Sequence, residues 1–300
     1  MQRTLMTIML IGAMRGGIVF AEELAQNKDL FVHPFFAFCM DTHDSMKRDL
    51  REQAALLKEL GYDGAGHLWL DHVAERIETL DAAGLKLFKI SMYVDISAEQ
   101  PFDPRLESIM PLLKGRGVIL ALLMRGMPPS DPAGDPKAVV IIRRIADMAR
   151  KADVTVALYP HFRDWLERVE DGVRLAKLAD RSNVGVMFNL CHWLAVDEER
   201  NLDALLDAAM PHVVAVSIHG ADSAAEIQAG AGKWIQPLDS GSFDVTAFLN
   251  AFRQRGYRGP VGLQCWGIEG DARDHLTRSM AAWRKISREL CAVSPAQRAP

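Results

Sequence analysis

The stretch VGVMFNLCH, residues 184–192, decides the predicted fold of this chain. A short apolar run leads directly to two polar side chains, Asn189 and His192, which lie three positions apart. Parallel barrel strands are apolar throughout, and they present polar groups at their carboxyl ends. The pattern recurs nearby, because VTVALYPH (154–161) and VVAVSIH (213–219) each end in a histidine. These consecutive strand-like runs predict one polar site at their C-terminal ends.

Short apolar runs alternate with amphipathic helical segments from about residue 30 onward, which is typical of repeated βα units. We predict eight strands at residues 35–39, 62–69, 85–94, 117–124, 154–161, 184–192, 213–219 and 261–266. This number of units indicates the α/β class and a single (β/α)8 TIM barrel over residues 30–292. An open doubly wound sheet is the alternative, but no G-x-G-x-x-G motif follows the early strands. Residues 293–300 are expected to be a frayed tail.

Composition and charge restrict the class of protein and of partner. The 300 residues are 49% hydrophobic and 25% charged, which is ordinary for a globular protein with a sizeable core. A net charge of −4 gives no reason to expect a nucleic acid or an anionic membrane as partner. The four cysteines show no C-x-x-C spacing, which argues against a structural zinc site and a disulfide scaffold. A small molecule is the expected ligand.

The first 21 residues have the pattern of a signal peptide. Arg3 precedes an apolar stretch at residues 5–14, and VFA at 19–21 would suit a cleavage site. Arg15 interrupts the apolar stretch, so a membrane-anchoring start and a misassigned start codon remain alternatives. The stretch is too short to span a bilayer comfortably. We expect export to the periplasm or secretion if the signal is real, and a cytoplasmic protein otherwise.

The chain after residue 34 resembles the sugar phosphate isomerase/epimerase proteins, or xylose isomerase-like barrels. The matching pieces are, in order, VALYPH, RLAKLAD, NVGVMFNLCH, VVAVSIHGAD, IQPLDSGSFD and RGYRGPVGLQ. The resemblance implies a TIM barrel that acts on a sugar with a divalent metal ion. In that family Glu, Asp, His and Glu at four strand ends hold the metal, and a further His follows the Asp by three residues. The metal polarises a carbonyl and a hydroxyl group while carboxylates transfer a proton.

The metal-ligand positions of this chain depart from the family pattern. Tyr159 stands where the first glutamate is expected, Asn189 replaces the aspartate, and Gln264 replaces the final glutamate. His219 is retained, as is His192. Because hard divalent ions depend on carboxylate charge, we do not expect tight Mn²⁺ or Mg²⁺ binding by this set. The polar groups would then bind a sugar through neutral hydrogen bonds.

A softer metal site is the alternative. His161, His192 and His219 could bind zinc or manganese as a three-histidine set, with Asn189 or Gln264 behind the ligands. His161 could instead begin a helix and point away from the site.

The predicted roles of the site residues follow from residue type and position. His192 and His219 are the candidate catalytic acid and base, because imidazole titrates near neutral pH. The residues predicted to bind substrate are Tyr159, His161, Asn189, Gln264, Trp266 and Arg125. Trp266 and Trp193 could stack on a sugar ring or simply pack in the barrel, and Arg125 could meet a phosphate or carboxylate. Acidic residues that follow strands but lie outside the family's metal-ligand positions could also transfer protons, namely Asp41, Asp44, Asp95, Glu269 and Asp271.

Lys89 lies inside the apolar strand at residues 85–94. A salt bridge to an acidic residue on a neighbouring strand is the main expectation, and Schiff-base chemistry is the alternative.

These observations favour a sugar isomerase or epimerase with a degenerate or altered metal site. A lyase that acts on an oxidised sugar and a non-catalytic carbohydrate-binding barrel remain the alternatives.

Overall fold

The computed structural model of the chain describes residues 32–197 and 201–292. The chain divides into two compact units, of which residues 33–284 contain the strands of the barrel. The other unit consists of the chain ends, and the structure describes Val32 and the last part of the final helix, 285–292, within it. The signal peptide predicted at residues 1–21 and the tail predicted at 293–300 lie outside the described residues.

Eight strands form a closed parallel barrel, and each pairs with the strands before and after it in the chain. The last strand pairs with the first over four residues, which closes the sheet. The strands are β1 (Phe35–Phe38), β2 (Gly64–Leu68), β3 (Lys86–Asp95), β4 (Ile119–Arg125), β5 (Thr155–Leu158), β6 (Val184–Asn189), β7 (Val213–Ile218) and β8 (Val261–Gln264). The predicted α/β class and (β/α)8 barrel are therefore confirmed.

Helices connect the strands and cover the outside of the barrel. They are α1 (Leu50–Leu60), α2 (Val73–Ala82), α3 (Leu106–Leu113), α4 (Asp135–Arg150), α5 (Val169–Ala179), α6 (Leu190–Asp197), α7 (Leu202–Ala209), α8 (Ala224–Gln228), α9 (Val245–Gln254) and α10 (Ala272–Ala292). The short helices α6 and α8 were not predicted. Within the described residues, no helix combines the length and apolar character that a membrane span requires.

The first helix shows how local sequence sets these boundaries. Asp49 accepts hydrogen bonds from the backbone N–H groups of Arg51 and Glu52, and the Glu52 carboxylate accepts one from the backbone of Asp49. This capping box satisfies N–H groups that have no partner within the helix. Gly61 then ends the helix with a φ of 86°, a conformation that costs glycine little.

Aromatic side chains from β1 fill the interior of the barrel. Phe36 stacks on Phe88 with ring centroids 4.9 Å apart, and Phe38 lies in the same apolar cluster. The glycines of the neighbouring strands make room for these rings. A Cβ on Gly66 would lie 2.7 Å from Phe38, and one on Gly262 would lie 2.8 Å from Phe36. This layer fills the barrel below the C-terminal ends of the strands, where the polar residues begin.

Candidate functional site

The alternation of side chains along β6, β7 and β8 brings polar groups together inside the barrel. Asn189 at the end of β6 pairs in register with Ser217 of β7, and Ser217 pairs with Gly262 of β8. Gln264 lies two residues further along β8, and His219 directly follows β7. Because every second residue of a strand faces the same way, these side chains share the inner face. Asn189, Ser217, His219 and Gln264 are all buried.

Tyr159 and Asn189 form a neutral pair at the ends of β5 and β6. The Asn189 amide Nδ2 donates a hydrogen bond to the Tyr159 hydroxyl. Its Oδ1 accepts a hydrogen bond from the backbone N–H of His192 at 3.4 Å. Burial raises the pKa of Tyr159 well above its usual value, so the phenol stays protonated. Two of the three positions where the resemblance implies a carboxylate are therefore hydrogen-bonded to each other and carry no charge.

His192 lies in the first turn of α6 and not at the end of a strand, which corrects the predicted extent of the strand at 184–192. The helix begins immediately after Asn189, and its first turn still places the His192 ring at the site. Its ring centroid is 4.0 Å from that of His161 and 5.7 Å from that of Tyr159. Burial, together with His161, His219 and Lys89, lowers the pKa of His192 well below its usual value. His192 is therefore neutral near pH 7.

His219 is buried completely, and its protonation follows from one hydrogen bond. Its Nδ1 is 2.9 Å from the carbonyl oxygen of Gly220. Because a carbonyl only accepts, we assign the proton to Nδ1, which leaves Nε2 with a free lone pair. Burial lowers the pKa of His219 to about 4. Nε2 can therefore accept a proton or a hydrogen bond at neutral pH.

Four buried polar atoms around this site have no hydrogen-bond partner among the described residues. They are His192 Nε2, Ser217 Oγ, His219 Nε2 and Gln264 Oε1. Buried polar groups are nearly always paired in native proteins, because an unpaired group loses its hydration without compensation. One of these atoms comes from the first turn of α6, and the others come from β7, from the residue directly after β7 and from β8. They mark a common place where the hydroxyl groups of a ligand would complete the hydrogen bonds.

His161 and Arg125 lie further out on the same end of the barrel. β5 ends at Leu158, so His161 belongs to the following loop and not to a strand, and α5 begins only at Val169. The His161 Nδ1 lies 3.5 Å from the Asp164 Oδ2, and burial lowers the pKa of His161 and raises that of Asp164. Arg125 ends β4, with its guanidinium carbon 4.5 Å from the centre of the Tyr93 ring. A half-exposed cation is therefore present at the rim.

The tryptophans named in the sequence analysis have different environments. Trp266 follows β8 and is 56% exposed, with its ring edge-on to His43 at 5.6 Å. Trp193 is buried and packs against Phe188 and Phe248, which is a packing role. In the long loop after β7, Trp234 stacks on Phe162 with ring centroids 6.1 Å apart. Trp266 is thus the candidate for stacking on a ligand.

Three of the acidic residues that follow strands have structural partners. Asp44 and Asp271 both form ion pairs with Arg48, at 2.9 and 2.7 Å. Asp95 accepts hydrogen bonds from Ser97. Asp41 and Glu269 are exposed. We therefore place no proton transfer on these carboxylates.

Lys89 does not form the predicted salt bridge with any described residue. Its Nζ donates a hydrogen bond to the Ser91 hydroxyl at 2.9 Å and lies 3.8 Å from the centre of the Phe38 ring and 5.1 Å from that of Tyr159. Lys89 is completely buried, and this burial lowers its pKa to about 8. Lys89 pairs in register with Ile119 of β4, a residue of the barrel's inner cluster. It therefore points into the barrel, where no acidic side chain of residues 32–197 and 201–292 pairs with it.

The residues present do not fit the hard divalent ion that the resemblance implies. Tyr159, Asn189 and Gln264 bring no negative charge, and both polar atoms of the Asn189 amide are already hydrogen-bonded. Among residues 32–197 and 201–292, no group of three or more His, Cys, Asp or Glu side chains could hold a metal ion. The three-histidine set of His161, His192 and His219 therefore stays a prediction without a preformed cluster.

A comparison with known protein families agrees with the closed barrel described above. The family profile described as "xylose isomerase-like TIM barrel" matches residues 54–286. The chain belongs to the xylose isomerase-like TIM barrel family. No curated protein sequence matches it.

Several solved structures share this fold at low identity. An L-ribulose 3-epimerase is 14% identical with a TM-score of 0.68, covering 90% of this chain and 100% of its own. The D-psicose 3-epimerase of Clostridium cellulolyticum H10 is 15% identical with a TM-score of 0.64, covering 86% and 99%. The IOLI protein with a bound zinc atom is 14% identical with a TM-score of 0.65, covering 86% and 99%. At these identities the likeness shows the fold.

Sequence reasoning missed two residues of this site. Ser217 carries one of the unpartnered atoms, and the alternation of Ala215, Ser217 and His219 could have identified it. Asp164 lies beside His161, and a spacing of three residues was the only available signal.

Proposed function

We propose that this chain acts on a small sugar or sugar derivative at the C-terminal end of the barrel, and that it moves a proton on a carbon next to a carbonyl group. Isomerases and epimerases carry out this reaction. The observation that carries the proposal is the set of unpartnered buried atoms on His192, Ser217, His219 and Gln264. A polyhydroxylated ligand offers several donors and acceptors at short spacing, which is what such a set requires.

The two buried histidines supply the acid and base of the proposal. Because burial keeps both rings neutral, an Nε2 lone pair can take a proton from carbon without first losing one to solvent. The protonated ring would then return the proton to a neighbouring atom of the substrate. Tyr159 and Asn189 hold the shape of the site, since they are bonded to each other, and no step requires a metal ion.

A carbohydrate-binding barrel without catalysis is the second candidate. The observation in its favour is the loss of charge at Tyr159, Asn189 and Gln264, the positions where the family pattern has carboxylates. Such a barrel would use the same hydrogen bonds and the exposed face of Trp266. A lyase acting on an oxidised sugar would begin with the same proton removal and then expel a hydroxyl group.

Deuterium exchange separates these candidates. The protein is incubated in D₂O with a panel of ketoses, aldoses and 3-keto sugars, and ¹H NMR follows the signal of the C–H group next to each carbonyl. We expect loss of that signal for one class of sugar, and loss of the activity in His192→Gln. Binding without exchange would indicate the carbohydrate-binding barrel, whereas a double bond in the product would indicate the lyase. The proposal would be refuted if the protein neither bound any sugar of the panel nor exchanged deuterium with it.

The matched control is His72→Gln. His72 is an exposed histidine, with a side chain that is 73% accessible and an Nδ1 atom 3.3 Å from the Glu75 carboxylate. Exchange by this variant should equal that of the unsubstituted protein. Circular dichroism of His192→Gln then shows whether a lost activity reflects the chemistry or a lost fold.

A further inference from the structure

The buried amine of Lys89 is a reactive group that the proton transfers described above do not use. We propose that Lys89 forms an imine with the carbonyl carbon of the substrate. This inference rests on the proposed function to the extent that the substrate is a sugar with a free carbonyl group. An imine would give the barrel an internal means of stabilising negative charge on carbon.

The surroundings of Lys89 distinguish it from a lysine that stabilises the fold through charge. A buried ammonium without an acidic partner is costly, and barrel lysines of that kind normally pair with a carboxylate. The described neighbours of the Lys89 Nζ are a hydroxyl group and two aromatic rings. The thiol of Cys39 is also near, and burial raises its pKa to about 12, so it stays uncharged. Lys89 therefore has surroundings that favour the neutral, nucleophilic amine.

The direction of the side chain brings the amine toward the site. Ser91, which accepts the hydrogen bond from Nζ, lies two residues closer to the C-terminal end of β3 on the same face. The Tyr159 ring is a neighbour of both the amine and His192, at 5.1 Å from Nζ and 5.7 Å from the imidazole centroid. The amine and the candidate base are thus neighbours of the same side chain. Lys89 is also one of the groups whose charge lowers the pKa of His192.

The chemistry explains why such a group would be useful in this barrel. Removing a proton beside a carbonyl leaves negative charge that needs a positive group, and Tyr159, Asn189 and Gln264 do not form a metal site to provide one. An iminium nitrogen carries a full positive charge conjugated to that carbon. The charge of Lys89 would thus serve as the electron sink of the reaction.

The steps balance without an added reactant. The Lys89 amine attacks the carbonyl carbon, and the resulting carbinolamine takes up one proton from solvent and loses one water molecule to give the iminium ion. Neutral His192 removes a proton from the adjacent carbon, and the electron pair moves to nitrogen to form an enamine. The proton returns from His192 to carbon, and a water molecule then hydrolyses the iminium ion to release the product, the free amine and the proton that was taken up from solvent.

Reductive trapping tests the proposal. The protein is incubated with dihydroxyacetone and sodium borohydride, digested, and mapped by mass spectrometry. We expect one reduced adduct, on Lys89, and the peptide map locates it without the use of a variant. The adduct should be absent from Lys89→Arg. Lys86→Arg is the matched control, because Lys86 is an exposed lysine of the same strand, and this variant should keep the adduct. Labelling confined to exposed lysines, or no labelling, would overturn the proposal.

The outcome is separable from that of the proposed function. Deuterium exchange without an adduct on Lys89 would leave the sugar chemistry standing and refute the imine. An adduct on Lys89 in a protein that neither binds a sugar nor exchanges deuterium with one would support the imine-forming amine and refute the isomerase or epimerase.

Discussion

The complete burial of His219 predicts that acid destabilises this protein by a defined amount. The folded state holds the ring neutral, with a pKa of about 4, whereas the unfolded chain has the ordinary value near 6.5. Between these values the unfolded state binds more protons than the folded state. The stabilisation is therefore fully present above about pH 6.5 and is lost as the pH falls toward 4.

The size of the effect follows from the gap between the two pKa values. The linkage relation gives a loss of about 2 kcal/mol by pH 5 and about 3 kcal/mol by pH 4 for a single histidine of this kind. His219 is completely buried, so solvent does not screen the effect. Such a loss is a large fraction of the stability of an ordinary domain.

The assay compares the free energy of unfolding in urea at pH 7.5 and at pH 5. His219→Gln removes the titrating ring, so the decrease between the two pH values should be smaller by about 2 kcal/mol than in the unsubstituted protein. His72→Gln is the control, since this histidine is exposed, and its decrease should match that of the unsubstituted protein. An equal decrease in all three proteins would show that the His219 ring is not held neutral by the fold.

Three further predictions concern the metal, the fold and the ligand. Incubation with EDTA should leave deuterium exchange unchanged, and an activity that disappears with EDTA and returns with Mn²⁺ or Zn²⁺ would contradict the neutral site. Asp171→Ala should lower the free energy of unfolding by about 3 kcal/mol, because the buried carboxylate accepts hydrogen bonds from Ser130 and Arg174. Urea denaturation measures this loss, and a change below about 0.5 kcal/mol would refute the stabilising role of Asp171. Trp266→Ala should weaken sugar binding as measured by calorimetry. Because Trp266 is 56% exposed, the same variant should change the free energy of unfolding by less than about 0.5 kcal/mol. An unchanged affinity for the sugar would exclude stacking on Trp266.

The sequence was sufficient to predict the barrel and the strand-end positions of the site. Asn189 ends β6, His219 directly follows β7 and Gln264 ends β8, because an apolar run that ends in polar residues marks the C-terminal end of a buried parallel strand. The side-chain period of two then puts them on one face. The helix α6 could not be predicted in this way. Leu190, Cys191, His192 and Trp193 are all buried in it, so no polar face produces the helical periodicity on which a prediction depends.

The partner of Lys89 was also beyond a sequence-based prediction. Which side chain faces a residue inside a barrel depends on the register between strands, and here the pairing of β2 with β3 shifts between Ala65 and Gly66. The shift brings Gly66, which has no side chain, opposite Lys89. A lysine within an apolar run looks the same in sequence whether its neighbour is an acid or a glycine.

The phenylalanine layer inside the barrel has a kinetic consequence. The interior beneath the polar residues is filled by Phe36, Phe38 and Phe88. A ligand can therefore reach the polar residues only from the rim formed by the C-terminal loops. In the proposed reaction, substrate and product must then use the same passage, one after the other. Product that has not yet departed excludes the next substrate molecule, and product should accordingly act as a competitive inhibitor in initial-rate measurements.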